Sequence, residues 1–146
     1  MIAVAADIAL AHRRFKHREE DVGLLGCRVE EDGPIWFNKV GTFGVACAAY
    51  HFARLASLLG RLVMRLNGQA HAFQLLFADD LKMMAAGERK YHTIWYMLVT
   101  WLMLGTPFRW PKFRGGVCLE FVGFYMDYCK FEVGLSERRT GWIVRW

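Results

Sequence analysis

Residues 74–84, Gln74-Leu75-Leu76-Phe77-Ala78-Asp79-Asp80-Leu81-Lys82-Met83-Met84 (QLLFADDLKMM), set two adjacent carboxylates between two apolar runs. Phe73–Phe77 and Leu81–Ala85 read as the strands of a tight hairpin with Ala78-Asp79-Asp80 at its turn. An Asp in a turn commonly does no more than hydrogen-bond its own backbone. Here the apolar flanks place the pair at the tip of a buried hairpin. Two like charges there raise each other's pKa unless a cation compensates them. Hard carboxylate oxygens suit Mg²⁺ or Mn²⁺.

A third carboxylate stands in a comparable setting. Asp7 ends the apolar run Ile2–Ala6, a predicted buried strand, and can lie beside Asp79 on a neighbouring strand. Three carboxylates at adjacent strand ends form a site for two metals roughly 3.5–4 Å apart, which activates an attacking hydroxyl and stabilises a leaving phosphate.

The rest of the chain alternates short strands with helices. Leu24–Val29 and Ile35–Val40 flank Glu30-Glu31-Asp32-Gly33, a hairpin signal. Over 44–64, apolar residues recur at spacings of three and four through Val45, Ala48, Phe52, Leu55, Leu59, Leu62 and on to Leu66, a helix with a core-facing stripe. Glu88–Leu104 predicts a second helix, with Trp101 and its neighbours Trp95 and Trp110 taken as core. Lys112-Phe113-Arg114-Gly115-Gly116 predicts a turn, and Val117–Phe124 a strand. This order predicts an α+β fold: an antiparallel sheet with helices packed on one face, leaving the other open to a ligand. No linker splits the chain, so one domain over 1–146 is expected, with the 24–40 hairpin as an insertion.

Composition bounds the function classes. At 146 residues and 55% hydrophobic the chain has the material for a core, which excludes a disordered segment. Nineteen basic against fourteen acidic residues give a net charge of +5, favouring a polyanionic partner. The cluster His12-Arg13-Arg14-Phe15-Lys16-His17-Arg18 is a candidate phosphate contact through Arg13, Arg14, Lys16 and Arg18, or else a solvated basic face. Cys27, Cys47, Cys118 and Cys129 form no C-x-x-C pair, so reduced thiols and an intracellular setting, cytoplasmic or nuclear, are expected. No apolar run reaches the roughly 18 residues of a membrane span, and no stable membrane association is expected. No obligate protein partner is evident.

Five motifs, in order along nearly the whole chain, resemble the palm of reverse transcriptases, particularly of retrotransposon type. Asp7-Ile8-Ala9-Leu10-Ala11-His12 resembles the first metal-binding motif. Thr42-Phe43-Gly44-Val45 through Phe52 is similar to the P-F-G-L-x-x-A-P motif, with Thr42 and Ala49 in place of its prolines. Phe77-Ala78-Asp79-Asp80 matches the [YF]-x-D-D hairpin. Leu104-Gly105-Thr106-Pro107-Phe108 through Lys112 resembles the glycine-to-lysine segment, and Phe121-Val122-Gly123-Phe124 the later F-[LV]-G-[FY] strand.

The resemblance implies a polymerase palm with a ferredoxin-like core, and RNA-directed DNA synthesis on an RNA or DNA template-primer with dNTP. It implies that Asp7 and Asp79 bind two Mg²⁺, that Asp80 supports them, and that the Ile8 carbonyl contributes a ligand. It implies that Lys112 approaches the departing pyrophosphate, and that Phe43 and Gly44 form the loop that meets the incoming base pair. His12 occupies the position where the family carries a Tyr or Phe that excludes a ribose 2′-hydroxyl. Fingers upstream and a thumb downstream belong to the family's pattern, whereas this chain starts six residues before Asp7 and stops at Trp146. An incomplete domain is therefore expected, binding Mg²⁺ weakly and extending a primer poorly alone. The rival expectation is a non-catalytic retroelement-derived relic that serves as a nucleic-acid-binding or interaction module.

Overall fold

The computed structural model describes residues 1–42, 45–68 and 71–146. The chain divides into two compact units, one formed by 1–9 with 56–146 and the other by 10–55.

The first unit is built on a four-stranded antiparallel sheet. Its strands are β1 (Ile2–Asp7), β4 (Ala72–Phe77), β5 (Asp80–Ala85) and β6 (Arg114–Gly116), in the order β4-β5-β1-β6. The 74–84 stretch is the β4–β5 hairpin, its two-residue loop Ala78-Asp79 closed by the pair Phe77–Asp80. Ala78 takes φ = 51°, a left-handed conformation that costs a residue with a Cβ about 1 kcal/mol or more. β1 is central, pairing with β5 so that Asp7 faces Asp80, and with β6 on its other edge. A strand covered on both faces reads as one apolar run rather than an alternation, which is why IAVAA carries no polar residue.

The register sorts side chains onto two faces. Val4, Leu76, Leu81, Met83 and Gln74 share one face, on which helix α2 (Lys90–Met103) packs through Ile94, Met97 and Trp101. Helix α1 (Ala46–Leu66) reaches the same face at Gly60, where a Cβ would overlap the Gln74 amide. Gln74 in turn accepts the Trp101 indole N–H at 3.2 Å. A side chain at position 60 would have to displace the Gln74 amide, and Trp101, fully buried, has its one donor satisfied.

The opposite face carries Ala5, Asp7, Asp80 and Lys82, and it is partly covered rather than open. A second antiparallel sheet, β7 (Cys118–Phe121), β8 (Phe124–Asp127) and β9 (Glu132–Leu135), bears on it. Buried Lys82 spans the two sheets, its Nζ 3.1 Å from the Met126 sulfur and 5.0 Å above the Phe121 ring. Burial pushes the Lys82 pKa down. A short helix α3 (Glu137–Ile143) follows.

The second unit holds 3₁₀ turns over Ala11–Arg14 and Glu19–Leu25 and the hairpin β2 (Gly26–Arg28) with β3 (Ile35–Phe37), followed by the N-terminal part of α1. The expected hairpin at 24–40 lies wholly inside this unit. Ala48 and Phe52 of α1 are buried, and the His12 ring stands edge-on to Phe52 at 5.7 Å.

The α+β class and antiparallel sheet are as expected, but four local expectations change. Val117–Phe124 is not one strand: Val122 (φ 50°) and Gly123 (φ 76°) reverse the chain in a two-residue turn with both central φ positive. Residues 114–116 are strand β6 instead of a turn, because glycine at 115 lets the strand lie against Val4. The buried stripe of α1 is narrower than its apolar pattern, leaving Leu55, Leu62 and Leu66 exposed, and Trp95 and Trp110 are exposed as well. Strands β8 and β9 and helix α3 lie in a region the periodicity left unassigned.

Gln74→Leu removes the acceptor of a buried indole N–H. The variant is expected to lose about 1–3 kcal/mol in urea denaturation, the cost of a buried unsatisfied donor; an unchanged midpoint would contradict the Gln74–Trp101 bond.

Candidate functional site

The site begins where α2 ends. Gly105 adopts φ = 76°, its N–H donates to the Leu102 carbonyl and the Thr106 N–H to the Trp101 carbonyl, the paired bonds of a Schellman cap. Pro107 then prevents the helix from continuing. The chain that follows lies antiparallel to the end of β1: Ala9 N–H donates to Pro107 O at 2.8 Å, Arg109 N–H to Asp7 O at 2.9 Å, and Ile8 bridges Phe108. A 3₁₀ turn over Trp110–Lys112 carries Lys112 back to the same side as Arg109.

This strap delivers two cations to one carboxylate. Lys112 Nζ lies 2.7 Å from Asp7 Oδ2 and Arg109 Nε 3.2 Å from Asp7 Oδ1, with the Asp7 side chain only 7% exposed. A buried carboxylate demands such partners, since its desolvation is otherwise uncompensated.

Asp80 faces Asp7 across the strand pair and has no cation of its own within 4 Å among the described residues. Partial burial raises its pKa first; the Asp79 and then the Asp7 charges raise it further, and Lys112 opposes them. Asp79 sits in the hairpin turn, its carbonyl accepting the Ile8 N–H at 2.8 Å, which locks the turn to the end of β1. Ile8 itself is buried.

Asp7, Asp80 and Lys112 line one cavity of about 560 Å³, together with Arg114, Glu120 and Arg138. The sequence-derived set Asp7, Ile8, Asp79, Asp80 and Lys112 is thus brought together around the end of β1, although Asp79 is not part of the cavity wall. Arg109, Arg114, Glu120 and Arg138 were not anticipated. For Arg109 a signal existed: it precedes Lys112 by three residues, one turn of a 3₁₀ helix.

The other candidates belong to the second unit. His12 and Arg13 and Arg14 lie on or beside the Ala11–Arg14 turn, and Arg13, Arg14, Lys16 and Arg18 are exposed. Arg18 pairs with Glu20 at 3.6 Å, an exposed pair of little energetic weight. Phe43 and Gly44 lie outside the described residues.

Among the described residues no three His, Cys, Asp or Glu side chains are grouped as a metal site. The donor chemistry nevertheless fits a hard divalent cation. Asp79 and Asp80 offer oxygen-only carboxylates that form no ion pair within 4 Å among the described residues, with Lys112 acting on Asp80 from further away, while Asp7 is paired with Lys112 and Arg109.

No protein-family model matches the chain. No curated protein matches it either. Among solved structures, the foamy viral protease-reverse transcriptase in complex with an RNA/DNA hybrid is similar over 98% of this chain, with a TM-score of 0.75 and 12% identity. The chain spans 18% of that protein's length. The fold is reverse-transcriptase-like. Among the described residues no helix is long and apolar enough to cross a membrane.

The raised Asp80 pKa fixes a sign. Folding favours the neutral carboxyl, so its destabilising effect is absent below the unfolded value of about 3.9 and complete above the folded one. Asp80→Asn is expected to raise Tm at neutral pH, with the gain fading as pH falls through the folded pKa; a variant that is no more stable at neutral pH would contradict the charge crowding.

Proposed function

We propose that this chain is a reverse-transcriptase-like nucleotidyltransferase domain of retrotransposon type, carrying out RNA-templated DNA synthesis by phosphoryl transfer. The observation that carries this is the face-to-face placement of Asp7 and Asp80 beside Asp79 and Lys112, on a fold that resembles a reverse transcriptase. Phosphoryl transfer depends on positioning and charge stabilisation more than on covalent chemistry, and a cavity walled by carboxylates and cations suits it.

Asp7, Asp79 and Asp80, with the Ile8 carbonyl, would hold two magnesium ions, which supply activation of a primer 3′-hydroxyl and neutralise triphosphate charge. Lys112 exchanges its Asp7 partner for the departing pyrophosphate, to which it offers a proton or a positive charge. Arg109 remains on Asp7 and keeps that carboxylate oriented. His12 meets the sugar of the incoming dNTP, Phe43 and Gly44 its base pair, and Arg13, Arg14, Lys16 and Arg18 the template-primer phosphates.

One observation favours a second reading. Asp7 is already neutralised by two side chains of the chain itself, so the site is stable as a charge-balanced cluster without catalysis. A non-catalytic module that binds nucleic acid would keep the fold and the basic residues.

A primed RNA template with dNTPs and Mg²⁺ separates the two. Weak extension by the chain, lost in Asp7→Asn and in Asp79→Asn while template-primer binding persists, is the expected result. Binding with no extension under any divalent cation supports the module, and extension unaffected by either substitution overturns the site.

A further inference from the structure

On the helix-covered side of the first unit, away from the carboxylates, a groove of about 590 Å³ runs between α1 and β4. Gly60, Arg61, Arg65, Phe73, Gln74 and Leu76 are among the residues that wall it. β4 is the end strand of its sheet, and among the described residues it pairs with β5 alone.

The register tells which of its main-chain groups are free. The His71 carbonyl accepts the Ala86 N–H at 2.9 Å, so the hydrogen-bonded pairs of this antiparallel ladder are His71–Ala86, Phe73–Met84, Leu75–Lys82 and Phe77–Asp80. The N–H and C=O groups of Ala72, Gln74 and Leu76 therefore point away from β5. Gln74 and Leu76 are groove residues, so the groove opens onto unpaired backbone.

Proteins usually protect such an edge with charged residues, proline or a bulge. AFQLLF has neither charge nor proline, and its outward side chains Phe73, Leu75 and Phe77 are 52%, 42% and 59% exposed. A strand laid along this edge would alternate its side chains between two surfaces. One set would meet Phe73, Leu75 and Phe77 on the far face. The other would meet α1, where Arg61 and Arg65 stand one helical turn apart. Among the described residues neither arginine has a carboxylate within 4 Å, and the groove wall contains no Asp or Glu.

We propose that the groove between α1 and β4 receives an extended acidic segment of a partner protein, added as a strand to the free β4 edge with its carboxylates on Arg61 and Arg65. Apolar residues at the alternate positions cover Phe73, Leu75 and Phe77. Phosphate could also pair with the arginines, but a nucleic acid leaves the Gln74 and Leu76 amides and the apolar side chains without partners. Main-chain bonding along an edge with alternating side-chain pockets is an established mode of peptide recognition. The interaction is independent of the polymerase chemistry.

The test uses the full ¹⁵N-labelled chain and a capped Glu-Val-Glu-Val-Glu-Val-Glu peptide. Amide exchange at Ala72, Gln74 and Leu76 is expected to slow by about tenfold or more on saturation, with Phe73 and Leu75, already bonded to β5, unchanged. Arg61→Glu with Arg65→Glu, both on the exposed face of α1, is expected to weaken the peptide by about tenfold or more and to admit the Lys-Val counterpart. Three results would overturn the proposal: no slowing at the three amides, equal binding of the Lys-Val peptide to the unaltered chain, or the same protection produced by oligothymidylate. Protection that appears with rising protein concentration and no peptide would also overturn it, since a second copy would then be the occupant.

Discussion

Everything at the candidate site depends on how one buried carboxylate is paired. Asp7 ends the central strand β1 with its side chain nearly out of water, where an isolated carboxylate would be strongly disfavoured. Its two cations come from a segment a hundred residues further along the chain. They arrive because a glycine-capped helix end, a proline and two main-chain hydrogen bonds lay Pro107–Arg109 against Asp7–Ala9. The Asp7 pairing with Lys112 and Arg109 is therefore a tertiary lock as well as an electrostatic one. It ties the strand that bears the first carboxylate to the strap that bears the cations, and the hairpin bearing Asp79 and Asp80 is tied to the same strand through Ile8.

That arrangement divides the charge unevenly. Asp7 is compensated within the chain, whereas Asp80, across the ladder, feels burial and two neighbouring carboxylates, with Lys112 in opposition. The strained turn at Ala78 and the strained Val122 at the cavity wall are of the kind that surrounding structure must hold in place, and such positions cluster at functional sites. Lys82 performs the holding on the inner side. Its stem crosses from the β4–β5 hairpin to the β7–β8–β9 sheet and ends on a sulfur and an aromatic ring rather than on a carboxylate.

Much of this was legible in the sequence because it is local. The hairpin around Asp79-Asp80 follows from apolar runs of strand length, β1 from an uninterrupted apolar run ending in Asp7, and α1 and α2 from their periodicity. The meeting of Asp7 with the acidic hairpin also followed, but the expected neighbour was Asp79; the register sets Asp7 opposite Asp80 instead and leaves Asp79 in the turn. What could not be read was set by contacts distant in sequence. Arg114 has no local signature that separates it from a solvated arginine, and the spacing of Arg109 from Lys112 does not by itself bring it to Asp7; only the strap and the β1–β6 pairing place them. Gly115-Gly116 reads as a turn until Val4 is seen against it. Val122-Gly123 reads as strand because apolar residues on both sides conceal a reversal that only backbone φ reveals. Leu55, Leu62 and Leu66 belong to the apolar pattern of α1 yet face solvent, since periodicity measures a helix's amphipathicity and not the width of what packs on it.

The central claim is that Asp7, Asp79 and Asp80 act together on a divalent cation despite the cations that Asp7 already holds. Titrating the full ¹⁵N-labelled chain with Mn²⁺ and following paramagnetic broadening of backbone amides addresses this without requiring activity. Broadening centred on residues 7–9 and 79–81, reversed by excess Mg²⁺ and abolished in Asp7→Asn, is the expected result. Broadening elsewhere, or at the same amides but undiminished in Asp7→Asn, would contradict it.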